Sequence, residues 1–327
     1  MIRYRFKSAL AFRLQTFWET RMALGRKGAA DLKLLSYLDR FLSRMLKPGQ
    51  TITREVTEQW MKSMQCLSVG TRINRISILR QFCRYLNQFD SRTYLINRVG
   101  VPRRIRPAPY IFTSAEIGRV IQTIKHHKAK SPLRLLMLST LIGLLYSTGL
   151  RVGEALRLTL ADVDLRRRLL IIRQTKFKKS RYVPISPSTA RALTLFLEKR
   201  RAYGCSTSLA APLFQSPTGI AYGHPGMCEY FLMILRKIGI RGPTGEKGPR
   251  IHDLRHSFAV ERLAKWYRQG VSLPEKLPLL TTYLGHTTPF GTQVYLHATA
   301  ELLKETSRRF YNCSTVFNQK KESNHEC

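Results

Sequence analysis

Three prolines within eight residues, Pro102, Pro107 and Pro109, divide this 327-residue chain into two stretches that must fold around separate cores. Proline fixes φ and lacks a backbone donor, so no continuous helix can run through residues 88–112. Arg98, Arg103, Arg104 and Arg106 lie in the same stretch and suit a linker resting against an anionic backbone. The expected organisation is an N-terminal unit of residues 1–105, a second unit of residues 106–312 and a polar tail of residues 313–327. Either unit is long enough to bury a core of its own.

Hydrophobic spacing then sets the fold class. Leu34, Leu35, Leu38, Phe41, Leu42, Met45 and Leu46 recur with a 3.6-residue period, and Pro48-Gly49 closes that helix. Thr53 opens a second helix. Thr71 is the expected cap of a third, with Ile73, Ile76, Leu79, Phe82, Cys83 and Leu86 inward and Arg72, Arg75, Arg80 and Arg84 on the other side. Past the linker, Thr113 and Glu116 have capping-box spacing. An apolar helix over 133–146 breaks at Thr148-Gly149, and another is expected over 152–158. Two strand-like runs, Leu169–Ile172 and Tyr182–Ile185, flank a polar turn and predict a hairpin. Further helices are expected over 188–203, over 226–239 and from His252 onward. The class is α-rich, mixed α+β: a helical N-terminal domain and a second domain with a small antiparallel sheet.

Charge narrows the partner. Lys and Arg number 56 against 20 Asp and Glu, a net charge of +36. Such an excess repels itself unless a polyanion offsets it, and duplex DNA is the leading candidate. A solvated cationic surface or a membrane-surface protein is the bland alternative. The basic residues are spread through both halves rather than set on one amphipathic helix, which disfavours it. The longest uncharged stretch, Leu135 to Leu150, falls short of the ~20 apolar residues that cross a bilayer. The six cysteines show no CxxC spacing and read as thiols of a reducing compartment. A cytoplasmic, nucleoid-associated protein is expected, with no membrane partner.

One constellation carries chemistry. His252-Asp253-Leu254-Arg255-His256 is followed by Leu284-Gly285-His286 and by Tyr295. Breaking a phosphodiester through a protein oxygen needs a nucleophile, fixed cations, a base and an acid, and this set supplies those types. Taken singly, each residue has a blander reading as a packed ring or surface contact. His252 and His256, at i and i+4, could bind zinc, but Asp253 stands where a zinc protease needs Glu and no third ligand is evident. Asp162 and Asp164 could hold Mg²⁺, but a third acidic residue is lacking there too. No metal and no cofactor is expected.

Together with Thr148-Gly149-Leu150-Arg151-Val152-Gly153-Glu154-Ala155-Leu156 and the hairpin, these segments resemble the tyrosine recombinase (phage integrase) family. The resemblance spans roughly residues 30 to 310. It implies a helical core-binding domain and a catalytic domain clamped around double-stranded DNA, with four protomers on two sites, related recombinases being possible co-members. It implies that Tyr295 attacks the scissile phosphate to leave a 3′-phosphotyrosyl bond, while Arg151 and Arg255 clamp the non-bridging oxygens. His252 is implied as base, His286 as a further donor, and Lys176 as acid to the leaving 5′-oxygen. Glu154 and Asp253 are expected to orient these groups, and His256 to be structural or to support them from behind. DNA contacts are expected from Arg72, Arg75, Arg80, Arg84, Arg103, Arg104 and Arg106. Bond energy passes through the phosphotyrosine, so neither ATP nor metal is required. The resemblance also implies a mobile genetic element as the setting. A DNA-binding accessory subunit with an idle site, and a type IB topoisomerase-like relaxing enzyme, are the alternatives. One departure is the 30-position interval from His256 to His286, with the excess expected as an altered loop between Lys265 and Lys276.

Overall fold

The computed structural model describes residues 4–25, 28–97, 108–128, 131–173, 180–216, 218–286, 288 and 290–293. Lys176, Tyr295, Arg103, Arg104 and Arg106 lie outside the described residues. The chain separates into two compact units, Met1–Pro107 and Ala108–Cys327.

The first unit is helical: α1 (Ala11–Ala23), α2 (Gly28–Met45), α3 (Arg54–Lys62) and α4 (Val69–Leu86). Leu14 and Phe17 of α1, Leu35, Leu38 and Leu42 of α2, Trp60 of α3, and Ile76, Leu79 and Phe82 of α4 form one buried cluster. Thr53 caps α3 as expected, accepting from the Val56 amide. Helix α4 begins earlier than expected. Ser68, not Thr71, is its cap, and its hydroxyl accepts from the Thr71 amide at 3.3 Å. Ser68 fits because its extended ψ turns the chain into the helix, which leaves Thr71 inside the first turn.

The second unit begins with α5 (Ser114–Lys125), opened by the Thr113–Glu116 capping box. Helix α6 (Pro132–Thr148) packs against α5, α8 (Pro187–Ala202) and α10 (Asp253–Arg268). Most of its apolar side chains are buried because these neighbours pack on several of its sides. Gly149 stops it in the left-handed conformation, φ 64°.

Beyond it, α7 (Val152–Ala155) is one turn, shorter than the 152–158 expected. Backbone bonding ends it: Leu158 O accepts from Leu213 N at 2.7 Å, and Leu160 N donates to Ala211 O. A 3₁₀ turn, Leu160–Asp162, then leads into the antiparallel sheet β1 (Val163–Asp164), β2 (Leu169–Ile172) and β3 (Arg181–Pro184), in the order β1-β2-β3. Leu170 faces Val183 and Ile172 faces Arg181 in the β2–β3 register. Helix α9 (His224–Lys237) completes the main cluster through Met227, Phe231, Ile234 and Leu235.

The unit continues through α10 and α11 (Leu273–Leu284) to the short α12 (Phe290–Gln293). The segment from Lys265 to Lys276, expected as an altered loop, is mostly helix. Lys265 to Arg268 finish α10, and Leu273 already lies in α11. Among the described residues, no helix is long and apolar enough to cross a membrane.

Candidate active site

Three segments far apart in sequence converge where α6, α10 and α11 meet. Arg255, on the first turn of α10, is 2% exposed. Its Nη1 donates to Gly149 O at 2.9 Å and its Nη2 to Leu284 O at 2.7 Å. One guanidinium thus ties the end of α6 to the end of α11. Gly149 is required there: a Cβ on it would lie 2.5 Å from the Phe258 ring, and φ is already positive.

Arg151 follows two residues after that glycine and caps α7. Its Nη1 donates to Glu154 Oε1 at 2.7 Å and its Nη2 to Gly285 O at 3.1 Å. Its side chain remains 34% exposed, whereas that of Glu154 is 3% exposed. His286 follows Gly285, whose φ of 67° ends α11. The His286 Nδ1 lies 2.9 Å from Thr292 Oγ1, which in turn meets Thr281 Oγ1. The buried hydroxyl of Thr292 therefore fixes the imidazole plane.

His252 sits at the N-terminal end of α10, and its ring meets that of His256 edge to face at 4.9 Å. Asp253 is buried and accepts from the Arg250 amide at 2.7 Å. Its main-chain carbonyl accepts from Ser257, whose hydroxyl accepts from the Phe112 amide and so fastens the start of the unit to α10.

Across residues 111–301 the chain matches the model described as the phage integrase family. It is 36% identical to a Sinorhizobium fredii protein named as integrase/recombinase y4rB, over 90% of this chain and 95% of that one. The chain belongs to the phage integrase family. It is a tyrosine recombinase, an enzyme of DNA strand transfer. The recombinase is also 32% identical to tyrosine recombinase XerC of Lacticaseibacillus casei, over 72% of this chain and 74% of that one. In fold it is similar to the Tn1549 transposon integrase, with TM-score 0.66, 19% identity, and coverage of 90% of this chain and 98% of that one. The XerH site-specific recombinase is a second structural neighbour, with TM-score 0.64, 20% identity, and coverage of 84% and 77%.

Within the recombinase site, electrostatics sets the protonation states. Burial and the nearby Arg255 and Arg151 hold His286 down to about 4. His256 is held at about 4 by burial, His252 and Arg255. Burial and the charges of Arg255, Arg151 and Arg250 push His252 to about 4 as well. His252 as a residue is nonetheless exposed, which softens that depression without reversing it. A neutral imidazole at pH 7 can accept a proton. Burial would raise Glu154, but hydrogen bonds and charge from Arg181 and Arg151 prevail and hold it at about 2. Burial pushes Asp253 up against the opposing pull of Arg250.

Arg151, His252, Arg255 and His286 are brought together. In the other unit, Arg75 lies over the Tyr37 ring at 4.2 Å, Arg80 donates to Ile96 O, Arg72 is half-buried and Arg84 is exposed. Two members of the site escaped sequence reasoning, Arg181 and Thr292. Arg181 left a signal, because it alternates with Val183 and so falls on the inward face of β3. Thr292 left none. Asp162 serves structure: it accepts from the Thr159 amide and hydroxyl and from Arg173 at 2.6 Å. Among the described residues, no group of three His, Cys, Asp or Glu could hold a metal.

Proposed function

We propose that the recombinase cuts and rejoins double-stranded DNA at specific sites through Tyr295, with Arg151 and Arg255 binding the scissile phosphate. Tyr295 Oη attacks phosphorus, the bond from phosphorus to the 5′-oxygen breaks, and a 3′-phosphotyrosyl link and a 5′-hydroxyl result. His252 takes the phenol proton, Lys176 protonates the leaving oxygen and His286 donates to the phosphate. Attack by a 5′-hydroxyl of the partner strand then restores the phosphodiester and frees Tyr295. The observation that carries this reading is the junction of Gly149, Arg151, Arg255 and the 284–286 segment. It places two guanidinium groups and the imidazoles in one field, where the charges of both arginines reach His286.

Residues 1–105 act as the DNA-gripping domain through Arg72, Arg75, Arg80 and Arg84, with Arg103, Arg104 and Arg106 on the linker. Residues 106–312 carry the chemistry. Four protomers on two DNA sites exchange strands in pairs, and the likeness to integrases supports a mobile-element setting at the nucleoid. Trapping on a nicked suicide duplex tests the chemistry. Wild type should form a covalent adduct that resists boiling in detergent, and Tyr295→Phe should form none. An adduct of equal yield from Tyr295→Phe would remove Tyr295 from the mechanism. Relaxation of a plasmid lacking the target site would instead favour a topoisomerase-like activity.

A further inference from the structure

Arg181, at the start of β3, has no role in the mechanism described so far, yet it is more deeply placed than Arg151. Its side chain is 11% exposed. Its Nη2 donates to Glu154 Oε2 at 2.8 Å and its Nη1 to Glu154 Oε1 at 3.3 Å. Its Nε donates to Tyr283 O at 2.9 Å. A Cβ on Gly285 would lie 2.6 Å from its Nη1, so the guanidinium lies directly against the peptide that precedes His286. The same Glu154 carboxylate accepts from the Arg151 side chain and from its amide.

The charge count explains the arrangement. One carboxylate facing one arginine is a neutral pair, with little attraction left for an anion. One carboxylate shared by two arginines leaves a net positive charge. The surplus falls on the more open guanidinium, Arg151. A buried ion pair is weak evidence for stability, since apolar side chains often fill such a site as well or better. A second arginine aimed at a carboxylate already paired therefore points to function. We propose that Arg181 is a positioning residue for strand transfer: it shares Glu154 so that Arg151 keeps its charge for the scissile phosphate, and it fixes the 283–285 backbone ahead of His286. This rests on the assignment of Arg151 to that phosphate.

The test uses the full chain and a nicked suicide duplex selected by wild-type adduct formation from a random-sequence pool. Single-turnover adduct formation is measured at saturating DNA for wild type, Arg181→Gln and Arg181→Lys, with DNA affinity measured in parallel. Arg181→Gln should lower the rate by about 100-fold, the usual effect of losing one charge-stabilising donor, with affinity little changed. Arg181→Lys should be intermediate, because an ammonium restores the charge but cannot span Glu154 and the Tyr283 carbonyl in the same geometry. The decisive comparison replaces one non-bridging oxygen of the scissile phosphate by methyl. That substrate is neutral and asks less of Arg151, so the variant's defect should shrink markedly. An equal defect on charged and neutral substrates, or a loss confined to affinity, overturns the proposal. If Arg181→Gln does not fold, Arg181→Lys carries the same comparison with the same outcomes. No adduct from wild type would overturn the recombinase reading and this one with it. A wild-type adduct matched in rate by Arg181→Gln would overturn this one alone.

Discussion

Arg255 commits two guanidinium nitrogens to main-chain carbonyls, Gly149 O and Leu284 O, and lies 2% exposed beside neutral imidazoles. Burial, together with that fixed cation, keeps the neighbouring imidazoles from protonating, which has a consequence for stability. His256 and His286 titrate near 6.5 when unfolded and near 4 when folded. Between those values the unfolded chain binds more protons, so stability rises with pH across that interval and is lost as pH falls through it. Asp253, whose carboxyl burial pushes upward, acts in the opposite sense near the acid end. The thermal midpoint of the DNA-free protein should climb between pH 4.5 and 6.5, about the span set by these groups. His256→Asn should flatten the climb. A midpoint that is level over that range in wild type would show that the imidazoles do not titrate as described. At this scale the sequence displayed residue types but not pairings. His252, Arg255 and His286 could be picked out from their boxes. That Thr292 would orient His286 could not, since a threonine carries no mark of the ring it will meet.

Helix ends, more than helix interiors, build the site. Gly149 ends α6 and Gly285 ends α11, and the carbonyls beside these stops receive Arg255 and Arg151. Gly149→Ala would combine left-handed backbone strain with a Cβ pressed on the Phe258 ring, a destabilisation of about 3 kcal/mol. Chemical denaturation should show it as a lower midpoint with unchanged slope, and strand cleavage should fall with it as the Arg255 acceptor shifts. Full activity and stability in this variant would mean that the turn after α6 relaxes freely. The elements with clean apolar spacing, α2, α4, α5, α6, the hairpin, α8 and α9, were readable in the sequence to within a few residues. Helix α1 was not, because Arg21 is buried on its inner face while Phe12 is exposed. The partners that reconcile Arg21 to burial, Asp31 and Gln81, lie on other helices. The four-residue α7 was expected longer because the competing backbone bonds come from 211–213, some fifty positions downstream.

At the level of the whole chain, the net charge of +36 is the dominant property. Neutralising DNA phosphates releases counterions, so affinity should fall steeply with salt, by roughly a thousandfold between about 50 and 200 mM. Fluorescence anisotropy on duplex DNA measures this directly. A salt-insensitive affinity would remove the electrostatic grip. The boundary between the two compact units falls at Pro107, among the prolines that forbid a continuous helix.

A further consequence follows from Asp39 in α2. Its carboxylate is fully buried and accepts from the Tyr4 hydroxyl and from the amides of Lys7 and Ser8. Trimming the chain to begin at Ala11 would strand that anion without donors, at a cost of about 3 kcal/mol. Calorimetry of the trimmed protein against the full one should register the loss, and Asp39→Asn in the trimmed chain should recover part of it. The opening residues thus behave as a latch on the first bundle.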